Sequence, residues 1–295
     1  MLKKLIYLVQ YIAVLPIFYL FKILPLSFSS ALVGKMLLGF SYFSKTDKIV
    51  KANLRVIFPE KSDEEIHKIA KKSWENAGRI FGELATMCSV KVEKIQKYFD
   101  IEISPDVQKV FDEKQPAIYV SAHYGNWELA SQILTYMDSR TAFIYRKINN
   151  PYIENFLRKM RENYLNMVIQ KGDSKSLKQA LIHLKKGGSL GILSDQKMRE
   201  GVEVEFFGKK VKAPSTQADF SIKFGLPVIM ARLVRVNKIK FKFLFEEVLD
   251  TDGKSPEQVT QEIYETYERW IKEYPEQWFL MHNRFGFHKP DLFKT

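Results

Sequence analysis

Within residues 117–130 (AIYVSAHYGNWELA), His123 and Glu128 have the types and the spacing that proton transfer needs. Ile118, Tyr119 and Val120 form a short apolar run rich in β-formers, preceded by Pro116. The chain then turns through Tyr124, Gly125 and Asn126, and the apolar residues of 127–137 recur at helical spacing. His123 is therefore expected at the carboxyl end of a buried strand, with Glu128 in the first turn of the next helix. That is the crevice where open α/β sheets bind ligands. Five positions apart across a turn, the two side chains can fold back onto each other. Glu128 would then accept a hydrogen bond from one ring nitrogen and fix the tautomer, leaving the other nitrogen as a base for a hydroxyl. General-base help of this kind contributes roughly 100- to 10,000-fold in rate. The bland alternative is a capped histidine at a strand end beside an unrelated glutamate.

The flanking sequence supplies the elements that would position this pair. Ser62 with Glu65 forms a capping box after Pro59. Ile66, Ile69, Trp74, Ala77, Ile80, Phe81 and Leu84 then mark the apolar face of a long helix, with His67 on its solvated side. Residues 91–115 read as a connection with a short strand. Residues 141–148 (TAFIYRKI) read as a strand ending in Arg146 and Lys147. A basic amphipathic helix over 152–163 carries Arg158, Lys159 and Arg161. A short strand follows at 167–170, then a helix from Ser174 to Gly187-Gly188, within which His183 has no evident chemical role. Residues 189–196 (SLGILSDQ) are a further buried strand with Asp195 and Gln196 at its carboxyl end. The pattern then predicts a hairpin at 202–211, a helix at 216–224, strands at 227–236 and 239–248, and a last helix opened by Ser255-Pro256. Strands alternating with helices predict an α/β fold, a mixed, mostly parallel sheet flanked by helices.

The first 46 residues contain no Asp or Glu and hold two long apolar runs among lysines. We divide the chain into a membrane-associated segment, 1–45, and a catalytic domain, 46–295. The first run is borderline for a span, so attachment in the bilayer interface is the expectation. A cleaved signal peptide and a buried hairpin compete with it. The formal net charge of +12 implies an anionic partner: nucleic acid, an acidic membrane, or a phosphorylated or acidic substrate. Between Arg146 and Lys186 ten Lys or Arg stand against Glu154, Glu162 and Asp173, which reads either as a solvated face or as an anion groove beside the His-Glu pair. Cys88 is the only cysteine, in an apolar helical context that favours packing. The five histidines lack metal-ligand spacing, so no metal and no cofactor is expected.

Taken together these motifs resemble the lipid A branch of the lysophospholipid-type acyltransferases. AHYGNWE matches the family's His-x4-acid motif, and Asn53-Leu54-Arg55 with Phe58-Pro59-Glu60 resembles its early N-L-R…F-P-E element. Tyr145-Arg146 with Asn150-Pro151, Asp195-Gln196, and Phe206-Phe207-Gly208 with Ala213, Ser215 and Thr216 are similar to further family elements. Pro275-Glu276-Gln277-Trp278 with His282 and Arg284 resembles the closing one. Leu280 and Asn283 depart from the pattern, where the family often has Trp and a basic residue.

The resemblance implies a fatty acyl thioester on acyl carrier protein (or coenzyme A) as donor. The implied acceptor is a hydroxyl of a phosphorylated glycolipid, most readily the lipid A precursor, at the cytoplasmic face of the inner membrane. Mannosylated phosphatidylinositol or a lyso-glycerophospholipid is the alternative acceptor. A non-enzymatic basic membrane or nucleic-acid binder is the rival from another class, although no nucleic-acid module is present. On the enzymatic reading His123 deprotonates the acceptor, Glu128 orients it, and Arg161, matching a family active-site arginine, meets the oxyanion. Arg146 contributes to substrate binding. Asp195 positions Arg161 or another basic residue, or simply caps its strand. His282 lines the site or packs structurally.

Overall fold

Nine strands and ten helices are formed by residues 2–87, 90–171 and 174–287, the parts of the chain that the computed structural model describes. The strands are β1 (Phe99–Ile103), β2 (Ile118–Ser121), β3 (Thr141–Arg146), β4 (Met167–Lys171), β5 (Ser189–Leu193), β6 (Val202–Phe206), β7 (Lys209–Ala213), β8 (Val228–Asn237) and β9 (Lys240–Leu249). Seven of them make one sheet in the order β1-β9-β8-β2-β5-β3-β4, while β6 and β7 pair separately as a hairpin. Every neighbouring pair in the large sheet is parallel except β8 with β9. The mixed, mostly parallel α/β sheet expected from the sequence is what forms.

The helices are α1 (Leu2–Ile23), α2 (Leu26–Ser41), α3 (Thr46–Ile57), α4 (Asp63–Met87), α5 (Pro105–Asp112), α6 (Trp127–Met137), α7 (Pro151–Arg161), α8 (Ser174–Lys185), α9 (Thr216–Phe224) and α10 (Pro256–Glu273). Successive residues of β2 point to opposite faces, and both faces are covered, which is why the strand is apolar throughout. Ile118 and Val120 join a core with Ala180 of α8, Phe220 of α9 and Ile263 of α10. Tyr119 joins a second core with Val107 of α5 and Leu129 and Ile133 of α6. β5 lies directly beside β2, so Ser121 and Leu193, at the carboxyl ends of the two strands, are register partners.

The capping box that opens α4 is present. The Ser62 amide donates to Glu65 Oε2 (2.9 Å) and the Glu65 amide to Ser62 Oγ (3.4 Å). One member of the expected apolar face, Phe81, is 51% exposed, because α2 covers the adjacent side of α4. The two helices pack backbone to backbone there: a Cβ on Gly78 would come 2.5 Å from the Val33 carbonyl oxygen. Cys88 lies outside the described residues.

The acid-free N-terminus becomes α1 and α2 and not a buried hairpin. One side of α1 docks on α7, with Tyr11 stacked on Tyr152 at 6.0 Å and Phe18 edge-on to Phe156 at 4.8 Å. Asn150, whose Oδ1 caps α7, uses its Nδ2 to donate to the Tyr7 carbonyl (2.9 Å). The outer side exposes Leu5, Ile12, Ile17 and Leu20, and α2 adds Phe28, Met36 and Phe40. Among the described residues α1 is by itself long and apolar enough to cross a membrane, with a mean hydropathy of 1.8.

Candidate active site

Each residue of the turn after β2 has a separate task. Ala122 and Tyr124 are buried, and the Tyr124 hydroxyl donates to the Trp270 carbonyl of α10 (2.9 Å). Gly125 has φ +55°, and a Cβ there would lie 1.8 Å from the Leu233 carbonyl oxygen, so only glycine fits. Asn126 caps α6 by accepting from the Leu129 amide (3.1 Å) and donates from Nδ2 to Glu83 Oε2 (2.9 Å). Glu83 is fully buried, and Ser30 and the Arg235 guanidinium also bond it. This support behind the turn draws on three segments far apart in sequence, and no local pattern signals it.

The C-terminal segment straps the front of the turn. The Gly125 amide donates to the Gln277 carbonyl and the Phe279 amide to the His123 carbonyl, both at 2.9 Å. Asn53, from the early motif, is buried and donates to the carbonyls of Leu280 and His282, both at 2.8 Å. Residues from α3, the β2 turn and the end of the chain thereby meet at one place.

His123 does not pair with Glu128. Its Nδ1 lies 2.6 Å from Asp195 Oδ1, two residues beyond β5. Asp195 Oδ2 accepts from Trp278 Nε1 (2.8 Å) and is 3.2 Å from Arg284 Nη2. Burial alone would raise the Asp195 carboxyl. The charges of His123 and Arg284, with the hydrogen bonds from His123 and Trp278, instead hold it well below the usual carboxylate range. An anionic Asp195 requires the proton on Nδ1, which leaves the Nε2 lone pair as the basic position. Gln196 Nε2 faces it at 3.4 Å. Trp127 packs edge-on to the ring at 5.3 Å, and the His282 ring centroid is 6.1 Å away. His282 is also edge-on to Phe279 (4.8 Å), and desolvation, followed by the nearby His123, lowers its pKa.

Glu128 turns the other way. Its carboxylate takes two hydrogen bonds from Arg161, Nη2 at 2.5 Å and Nε at 3.2 Å, and one from the Tyr164 hydroxyl at 3.3 Å. Desolvation would lower the Arg161 guanidinium, but Glu128 raises it further, so it stays charged. The expected His123–Glu128 bond and an Asp195–Arg161 pairing are thus both replaced. Arg161 goes to Glu128, and Asp195 takes the imidazole together with another basic residue, Arg284. The cause is tertiary: β5 stands against β2, so the end of β5 reaches His123 first. Asp195 at a buried strand's carboxyl end was the available signal. Arg284 and Gln196 were visible only as motif members. Arg146 closes β3 beside Lys171, and its side chain lies outside the described ones. In the basic segment Arg158 pairs with Glu162, Lys147 and Lys159 are exposed, and Arg161 alone of these four reaches the site.

Beneath α6 and α7 lies a cavity of about 700 Å³, including its open mouth. Trp127, Glu128, Ser121 and Arg161 contribute its polar rim, and Leu134, Phe143, Leu165, Val168, Gly191 and Phe243 its apolar walls. Apolar walls with a few polar groups at the mouth are the character of a small-molecule site. Trp127 touches the imidazole on one side and lines the cavity on the other, so the base and the apolar hollow are neighbours.

The sequence also resembles those of known proteins. The sequence is 21% identical over 248 residues to a lipid A biosynthesis palmitoleoyltransferase of Escherichia coli (strain K12), covering 83% of this chain and 80% of that protein. A lipid A biosynthesis acyltransferase of Shigella flexneri matches to the same extent. Residues 1–286 match the bacterial lipid A biosynthesis acyltransferase family from end to end of the sheet, the strap and the N-terminal helices, and the chain belongs to that family.

Proposed function

We propose that this acyltransferase moves a fatty acyl chain from a thioester, carried on acyl carrier protein, to a hydroxyl of a phosphorylated lipid A precursor. The observation that carries the reading is the adjacency of a tautomer-fixed imidazole and an apolar cavity with Arg161 at its rim. The acyl chain occupies the cavity, each buried methylene contributing about 0.8 kcal/mol, with the thioester at the rim near Trp127 and Arg161. His123 Nε2 takes the acceptor's hydroxyl proton as that oxygen attacks the thioester carbonyl. Asp195 holds the Nδ1 proton and stabilises the imidazolium that results. The tetrahedral intermediate collapses by expelling the thiolate, which recovers the proton from His123.

Arg161 meets the developing oxyanion, and Glu128 serves by holding Arg161 in place. Arg146 and the exposed lysines of the basic segment bind acceptor phosphates or the acidic carrier. The exposed faces of α1 and α2 lie in the cytoplasmic leaflet of the inner membrane, where both the lipid acceptor and the soluble donor are within reach. The test is purified protein with a panel of acyl thioesters and a phosphorylated disaccharide lipid or a lyso-glycerolipid as acceptor. Transfer to the disaccharide that falls at least 1,000-fold in His123→Ala is expected, roughly the upper range of general-base effects. Transfer within tenfold of the parent, or to the lyso-glycerolipid alone, overturns the reading.

A further inference from the structure

Arg284 is a buried charge that the acyl-transfer steps do not use. Its side chain is 3% exposed, yet it has one ionic partner, Asp195 Oδ2 at 3.2 Å. Its Nε and Nη1 are buried without a hydrogen-bond partner among the described residues. The guanidinium lies over the Trp278 ring at 5.7 Å. A buried cation so sparsely paired is costly to desolvate, and the strap does not need it, because Asn53 and Gln277 already fasten residues 277–282.

We propose that Arg284 is a positioning residue that acts through Asp195 to set the pH range in which His123 is an unprotonated base. This rests on the reading of His123 as the base. At rest the cluster Arg284, Asp195 and neutral His123 carries no net charge. Protonating His123 then builds a buried net positive charge beside a fixed cation, which is unfavourable. Without Arg284 the cluster at rest would be an anion, and taking up a proton would neutralise it. The imidazole would hold that proton to higher pH, closed to substrate as a base. Arg284 therefore favours an unprotonated Nε2 while locking Asp195 as the carboxylate that fixes the tautomer.

The other groups facing His123 do not substitute for this charge. Gln196 and Trp127 are neutral. Tyr264 and Tyr267, from α10, stand by the end of β5, and burial keeps both hydroxyls protonated. Among the described residues, His282 is the further titrating group whose ring packs against that of His123.

The experiment pairs two readouts on Arg284→Met, Arg284→Gln and Arg284→Lys in the full-length protein, folding being checked by circular dichroism. One is the titration of the His123 ring by NMR of isotope-labelled histidine, assigned with His282→Gln present. The other is the acid limb of the kcat/KM profile for acyl transfer. In Arg284→Met and Arg284→Gln both should move up by about one pH unit, a modest value for the loss of one neighbouring charge. Arg284→Lys, which keeps the cation, should restore the parent positions. Asn283→Ala, which loosens the same segment by removing its bonds to Phe287, should leave both in place. A His123 titration that stays within 0.3 units, roughly a tenth of the larger shifts charges produce, overturns the role of Arg284 and leaves the acyl-transfer reading standing. A titration that moves while the acid limb does not overturns His123 as the base, and this proposal with it.

Discussion

Asp195 and Glu128 each lie against an arginine, but the two pairs are built for different work. Asp195 and Arg284 are almost wholly enclosed, with side chains 4% and 3% exposed. One carboxylate there is divided among His123, Trp278 and Arg284. Glu128 and Arg161 are 17% and 14% exposed, and meet in a two-pronged contact at the rim of the cavity. The enclosed cluster cannot rearrange without stranding a charge, so it is a fixed source of electrostatic potential. The rim pair is reachable from the cavity, and Arg161 can trade part of its bond to Glu128 for a new anion. On the proposed mechanism, tautomer control, assigned from sequence to Glu128, passes to Asp195, and Glu128 instead holds the arginine that meets the oxyanion.

Substitutions should separate the two sites. Asp195→Asn should cost the most, on the order of 10,000-fold in kcat with the fold intact, because an amide no longer fixes the tautomer. Steady-state transfer rates check it. Arg161→Met should lower kcat by ~100- to 1,000-fold, as loss of one oxyanion partner does. Glu128→Gln should fall within tenfold of Arg161→Met, and the double variant should be no worse than Arg161→Met alone, since the two act as a unit. If Glu128→Gln instead matched Asp195→Asn and added fully to Arg161→Met, Glu128 would be acting on His123 and the division proposed above would fail. The smallest effect concerns the cavity wall. A Cβ at Gly191 would lie 2.6 Å from the Phe143 ring, so Gly191→Val should push that ring inward. The preferred acyl chain should then shorten, with about a fourfold loss in kcat/KM per excluded methylene, read from a thioester series.

Much of this was legible in the chain. The capping box at Ser62/Glu65, the helix start at Ser255-Pro256, the Gly208 turn between β6 and β7 and the apolar run of β2 are local signals, and each formed as expected. His123 could be placed at a strand end for the same reason. Its partner could not, because that depends on strand order. The chain visits β3 and β4 before returning to lay β5 against β2. Nothing near residue 123 encodes that return. Glu83 was hidden for a similar reason: on a helix it reads as one more surface acid, and only the meeting of Ser30, Asn126 and Arg235 around it makes it a buried brace.

The strap of residues 277–284 has a consequence for biosynthesis. A growing chain that has reached residue 270 contains every strand, the imidazole and the aspartate. It still lacks the indole that bonds Asp195, the guanidinium beside it, and the backbone that pins the His123 turn. On the proposed mechanism, a product cut short before residue 278 has the sheet and the imidazole but neither of these side chains, and however well its sheet is folded it should be silent toward a lipid acceptor.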